Sequence, residues 1–76
     1  MTLAELIDSM IFSGMCAWEA HAEGSQGVTD YYAFTYEGFK KEAEKEVVRL
    51  TKVKPSKAAK IVHSALVVRW MNGCGK

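Results

Sequence analysis

The chain has 76 residues, of which 49% are hydrophobic and 25% are charged, and its formal net charge is +1. A chain of this length forms one domain, 1–76, and its apolar content excludes the low hydrophobicity that keeps disordered proteins unfolded. No apolar run approaches the ~20 residues of a membrane-spanning helix, and no basic residue precedes the first acids as in a secretory signal. We therefore expect a cytoplasmic protein that does not interact with a membrane.

The charges are divided unevenly along the chain. Residues 1–39 carry six acidic residues and neither lysine nor arginine, whereas residues 40–76 carry ten basic and three acidic residues. Over residues 40–49, nearby acidic residues largely balance the basic ones. The positive charge that no acid balances therefore lies within residues 49–60. Such an asymmetry indicates charged surfaces for partners, although it does not identify the partner.

The first predicted helix has a clear start signal. Thr2 and Glu5 have the spacing of a capping box, in which each side chain accepts a hydrogen bond from the other residue's backbone. Helical spacing predicts a buried stripe formed by Leu3, Ile7, Met10, Ile11, Met15 and Trp18. Phe12 and Cys16 lie off this stripe, which indicates contact with two neighbouring helices or with a second copy of the chain. Gly14 predicts close packing of another backbone.

Residues 28–36 are compatible with two kinds of secondary structure. Their β-branched and aromatic residues are typical of strands, but a lone strand would have no partner in so short a chain. A helical stripe also runs through this segment, formed by Tyr32, Tyr36, Phe39, Ala43, Val47 and Leu50. We therefore predict a second helix that begins between Thr29 and Thr35, after a loop at residues 24–27.

A third helix is predicted after a break at residues 52–54. Pro55, the only proline, disfavours helix at the residue before it and suits the first turn of a new helix. The predicted buried residues of this helix are Ala58, Ile61, Val62, Ala65, Leu66 and either Val68 or Trp70. The predicted fold class is all-α, a small bundle of three main helices at about residues 3–23, 30–53 and 55–71, with dimerisation left open.

Neither metal binding nor catalysis is predicted. Cys16, His21, His63 and Cys74 have the right chemistry for metal ligands, but they form no C-x-x-C or H-x-x-x-H pair. Cys16 and His21 point about 140° apart on a helix. The sequence also lacks a phosphate-binding loop and a nucleophile held beside a base. We predict free thiols, no enzymatic activity, no metal, no cofactor and no small-molecule substrate.

The basic residues around the predicted break favour a nucleic-acid-binding hypothesis. From residue 47 onward the chain has seven basic residues and no acid. The residues that would contact phosphates or a groove are Arg49, Lys52, Lys54, Lys57, Lys60 and Ser64. Apolar residues stand where helix-turn-helix joints require them, at Val47, Val53 and Ile61. This stretch resembles the opening helical hairpin of histone-like nucleoid proteins, although Val48, Lys52 and Ala58 replace that family's small residue, turn glycine and β-branched anchor.

Five of the eight aromatic residues lie within residues 31–39, at mixed helical phases. They cannot all enter one small core, so some of them are exposed or meet a partner. A partner is favoured because tyrosine and tryptophan are enriched at protein interfaces. The alternatives are an aromatic core beside Trp18 and Trp70, and base stacking on a single strand. The predicted protein interface consists of Tyr31, Tyr32, Phe34, Tyr36, Val67, Trp70 and Met71.

These patterns lead to two hypotheses about function. The first is a small non-enzymatic helical interaction protein, a regulator or inhibitor that binds a larger protein or protein–nucleic-acid machine, or that binds itself as a homodimer. The alternative is a helix-turn-helix-like protein that binds DNA or RNA through residues 49–60. Salt-dependent binding to a duplex distinguishes the two, because only the second depends on phosphate contacts.

Overall fold

Three helices make up the protein in a computed structural model that describes residues 1–73. Helix α1 spans Leu3–Ala22, α2 spans Gln26–Thr51 and α3 spans Pro55–Met71. The predicted all-α bundle of three main helices is confirmed. Among the described residues, no helix has both the length and the apolar character needed to cross a membrane.

The capping box at the start of α1 is confirmed. The backbone N–H of Glu5 donates to Thr2 Oγ1 at 3.2 Å, and the backbone N–H of Thr2 donates to Glu5 Oε1 at 2.9 Å. Hydrogen bonding to the Glu5 carboxylate lowers its pKa, with the Thr2 backbone N–H as the larger cause and the Thr2 side chain as the smaller one. Two otherwise unpaired backbone donors are thus satisfied where the helix begins.

Helix α2 begins at Gln26, so the predicted start within residues 29–35 was too late. Gly24 adopts a φ of +81°, and Ser25 N–H donates to the Ala20 carbonyl at 2.9 Å. This Schellman-type turn ends α1 abruptly, because glycine takes the left-handed conformation without a Cβ clash. The chain can therefore enter the next helix after only three residues.

Residues 28–36 are helical throughout, although strand formers dominate them. The two threonine hydroxyls of this segment donate to carbonyls one turn earlier, Thr29 Oγ1 to Ser25 at 2.8 Å and Thr35 Oγ1 to Tyr31 at 2.9 Å. Satisfying the hydroxyls inside the helix removes much of their competition with helical hydrogen bonding. Packing on the core from later in α2 overrides the weak local preference for a strand.

The core lies where the three helices meet and consists of Leu6, Ile7, Met10, Ile11, Ala43, Val47, Ala58 and Val62. Four residues predicted to be buried are instead exposed: Trp18, Leu50, Val68 and Trp70. All four lie in the last one or two turns of their helices. Side chains at helix ends extend past the neighbouring helices, so correct helical phase is not sufficient for burial.

The joint between α2 and α3 has an unusual backbone. Lys52 adopts the left-handed conformation with a φ of 61°, and its N–H donates to the Val48 carbonyl at 2.8 Å. Lys54 is extended and Pro55 takes the first position of α3, as the sequence predicts. A lysine therefore occupies the position at which a helix end most often has a glycine.

Candidate interaction surfaces

A strongly apolar concavity runs between α1 and the second half of α3, and we call it the tryptophan groove. It has a volume of about 400 Å³ and is lined by Met10, Ile11, Gly14, Met15, Trp18, Tyr36, Leu66, Val67 and Trp70. Trp18 is 72% exposed and Trp70 is 50% exposed, and they are the only tryptophans in the chain. An exposed apolar groove with two tryptophans is typical of a surface that binds another molecule.

Gly14 and Tyr36 form the floor of the tryptophan groove. The ring of Tyr36 lies 3.7 Å from the position that a Cβ at residue 14 would occupy. The prediction that another backbone packs on Gly14 was wrong, because the neighbour is this aromatic ring. A side chain longer than alanine at residue 14 would fill the groove from its floor.

An ion pair fixes α3 against α1 beside the groove. Arg69 Nε donates to Asp8 Oδ1 at 2.8 Å, and Arg69 Nη2 donates to Asp8 Oδ2 at 3.2 Å. The two parallel bonds set the direction as well as the distance between the groups. Both side chains are partly exposed, so the pair adds little stability, but it positions the turn that carries Trp70.

Two acidic residues follow Trp18 at the end of α1. Glu19 follows Trp18 directly, and Glu23 lies one turn further along. Both carboxylates are exposed, and neither has an ion-pair partner within residues 1–73. The end of α1 that carries Trp18 therefore also carries two carboxylates that no ion pair neutralises among residues 1–73.

A second concavity, which we call the tyrosine shelf, lies between α1 and the first half of α2. It has a volume of about 520 Å³ and is lined by Asp8, Ser9, Phe12, Ser13, Tyr31, Tyr32, Thr35 and Phe39. The rings of Tyr31 and Tyr32 meet edge to face, with centroids 5.2 Å apart. Hydroxyl groups and a carboxylate make this surface more polar than the tryptophan groove.

The structure does not bring the seven predicted interface residues into one surface. Tyr36, Val67 and Trp70 line the tryptophan groove, whereas Tyr31 and Tyr32 line the tyrosine shelf. The remaining two, Phe34 and Met71, are exposed and line neither concavity.

Sequence reasoning missed Trp18 and Phe12 as surface residues. Trp18 was assigned to the core by its helical phase, and it is instead the most exposed aromatic residue of the groove. Two signals were available: Trp18 lies in the last turns of α1, and tryptophan is rarely buried completely because of its size. Phe12 was recognised as lying off the core stripe, and that offset places it on the tyrosine shelf.

The opposite end of α3 carries the basic residues. Lys52, Lys54, Lys57, Lys60 and Ser64 are all exposed, and we call the four lysines the lysine end. Arg49, predicted to share this surface, instead bonds through its guanidinium to Glu46. The same bond lowers the pKa of Glu46. A second ion pair within α2 joins Lys45 and Glu42, at 4.0 Å.

The possible metal ligands are not gathered into a site in the part of the chain that the structure describes, where no three His, Cys, Asp or Glu side chains could share an ion. Cys74 and its predicted free thiol lie outside the described residues, and Cys16 is a free, partly buried thiol. No family model, curated protein or solved structure matches this chain. Its function is therefore inferred from its own surfaces.

Proposed function

We propose that this protein is a small non-enzymatic regulator that acts by binding a helix of a larger protein in the tryptophan groove. The observation that carries the proposal is the exposure of both tryptophans on one apolar groove. A solvated tryptophan contributes little to the stability of a 76-residue chain. Buried in an interface, the same side chain is among the strongest contributors to affinity.

The shape of the groove favours a helical partner. Its walls come from α1 and α3, and its floor is the ring of Tyr36. A groove between two helices accepts the apolar face of a third, with large side chains spaced three or four residues apart. A third helix placed there would cover Trp18 and Trp70 together, and it would exclude water from the contact.

The acidic residues near Trp18 indicate which residues would flank the apolar face of the partner. Glu19 and Glu23 follow Trp18 by one and five positions, and they have no ion-pair partners among the described residues. A partner helix with lysine or arginine beside its apolar face would neutralise them and associate faster through electrostatic steering. We therefore expect an amphipathic helix with a bulky apolar face and basic flanks.

The lining of the groove supports regulation by occupancy rather than chemistry. Its residues include no carboxylate, imidazole or thiol. The phenol of Tyr36 is the one titratable group in the lining, and no base lies beside it there to form a nucleophile–base pair. The effect on the partner then comes from covering its helix. A covered helix can neither contact other molecules nor change its conformation.

The test is affinity capture with three purified baits from cells that make the protein. The baits are the native chain, the groove variant Trp18→Ser/Trp70→Ser and a control variant, Tyr31→Ser/Phe34→Ser, which removes two exposed aromatic rings outside the groove. Any captured protein is purified, and its affinity for all three baits is measured by calorimetry. We expect the groove variant to bind about 1,000-fold more weakly, at ~2 kcal/mol for each tryptophan, and the control to bind like the native chain.

Two results would contradict the proposal. One is a partner that binds all three baits equally, which would place the interface elsewhere. The other is a homodimer, detected by sedimentation velocity, that dissociates in the groove variant alone. That outcome would make a second copy the occupant of the groove. The circular dichroism of each bait serves as the control for folding.

A further inference from the structure

We propose that the lysine end is a second binding surface, separate from the tryptophan groove, and that it binds the phosphate backbone of a nucleic-acid duplex. The surface consists of Lys52, Lys54, Lys57 and Lys60, with Ser64 at its edge. All five side chains are exposed. The proposal does not depend on a protein partner for the groove, so the two can fail separately.

The first observation is that the positive charge of the lysine end is not neutralised. None of its four lysines has an ion-pair partner within the described residues. Glu46 is the last acid of the sequence, and it is already bonded to Arg49. The chain thus collects four exposed lysines at one joint, and the one carboxylate that lines a concavity with Pro55 there is that of Glu44.

The second observation is that three of these lysines, Lys52, Lys54 and Lys57, occupy positions where a lysine destabilises the helix end. Lys52 holds a φ of 61°, a conformation that a residue with a Cβ avoids. Lys54 is the N-cap of α3 and makes no side-chain cap bond, where serine or aspartate would stabilise the helix.

Lys57 adds to this in the first turn of α3, which contains no acid. Positive charge there is repelled by the positive end of the helix dipole. Breaks in local preference that coincide at one place are expected at functional sites. A bound anion relieves the repulsion and so accounts for the lysines at these positions.

A duplex fits this surface better than a single strand. Lys57, Lys60 and Ser64 follow one another along the exposed face of α3, as successive backbone contacts require. Binding to single strands uses aromatic side chains for base stacking, and the aromatic residue of α3, Trp70, lies roughly 22 Å from Pro55 at 1.5 Å per residue. Within α3, the lysine end therefore has charge without a Phe, Tyr or Trp beside it.

The test is fluorescence anisotropy with labelled 16-base-pair DNA and RNA duplexes over a range of salt concentrations. Four phosphate contacts predict a slope of log Kd against log salt of about 3.6 for DNA, which is a roughly 100-fold loss of affinity between 50 and 200 mM salt. Lys57→Gln/Lys60→Gln should lower that slope by about 2. The matched control Lys40→Gln/Lys41→Gln removes the same charge from the acid-balanced part of α2 and should leave the slope nearly unchanged.

Several outcomes would overturn the proposal. These are the absence of binding at 50 mM salt, an equal loss of affinity in the control variant, or equally tight binding to polyglutamate or to vesicles of anionic phospholipid. A preference for single strands of the same length would also contradict it.

A single variant tests why Lys54 occupies the N-cap. Lys54→Ser supplies a capping hydroxyl and removes one charge, so its melting temperature should rise while duplex affinity falls several-fold. Unchanged affinity in this variant would remove Lys54 from the surface and contradict the link between poor capping and binding.

Discussion

The tryptophan groove and the lysine end both depart from what stability alone favours, but for different physical reasons. In the groove, Trp18 and Trp70 are exposed because no neighbouring helix covers them. At the lysine end, Lys52 and Lys54 occupy positions that suit glycine and a capping residue. Apolar contact would relieve the first departure. Negative charge would offset the repulsion among the lysines in the second, but not the backbone strain at Lys52. We therefore propose chemically different partners for the two surfaces.

The largest expected effect is a loss of unfolding free energy on truncating a core residue, compared with truncating an exposed residue of the groove. Met10 is 1% exposed and belongs to both the core and the groove lining. Met10→Ala should lower the free energy of unfolding by about 2–5 kcal/mol, because it leaves a cavity. Trp18→Ala should change it by less than about 0.5 kcal/mol, since the side chain is solvated. Urea denaturation measures both, and similar losses would show that Trp18 packs in the core.

The next effect concerns the backbone of the lysine end. Lys52→Gly and Lys52→Ala remove the same charge, but only glycine relieves the left-handed conformation at φ 61°. The glycine variant should be about 1 kcal/mol more stable than the alanine variant. Thermal denaturation of the pair measures the difference. Equal stabilities would mean that residue 52 carries no backbone strain.

The smallest effect is at the capping box of α1, away from both surfaces. The pKa of Glu5 is lowered by its hydrogen bonds with Thr2, so the folded state favours the carboxylate. Its stabilising contribution is therefore present above the carboxyl's ordinary pKa and is lost as the pH falls through its folded pKa. The melting temperature of Glu5→Ala should lie slightly below that of the native chain at pH 7, and the difference should shrink as the pH falls below the carboxyl's ordinary pKa. A difference that does not depend on pH would point to helix propensity instead.

Features set by local interactions could be predicted from the sequence. The capping box of Thr2 and Glu5, the break before Pro55 and the three helices all depend on residues within one or two turns of each other. The predicted start of α2 was too late because residues 24–27 were read as a loop. The turn at Gly24 is tighter than such a loop, so α2 already begins at Gln26. The chemistry of these signals is contained in a few consecutive residues.

Features set by the position of a distant helix could not be predicted. Trp18 and Ile11 share the same helical stripe, yet Ile11 is buried and Trp18 is not. The difference depends on where α3 lies against α1, which an ion pair between residues 61 positions apart helps to fix. The predicted interface likewise divides between two surfaces, because the helical phases of Tyr31 and Tyr36 place them on different sides of α2.

We expect the tryptophan groove and the lysine end to bind independently of each other. Fluorine NMR is the most direct test of this independence. Both tryptophans line the groove, so protein labelled with 5-fluorotryptophan gives two resonances that report on the groove alone. We expect a 16-base-pair duplex at 50 mM salt to leave both resonances unchanged, and we expect the captured protein partner to shift both. Resonances that move with the duplex, or that ignore the partner, would contradict it.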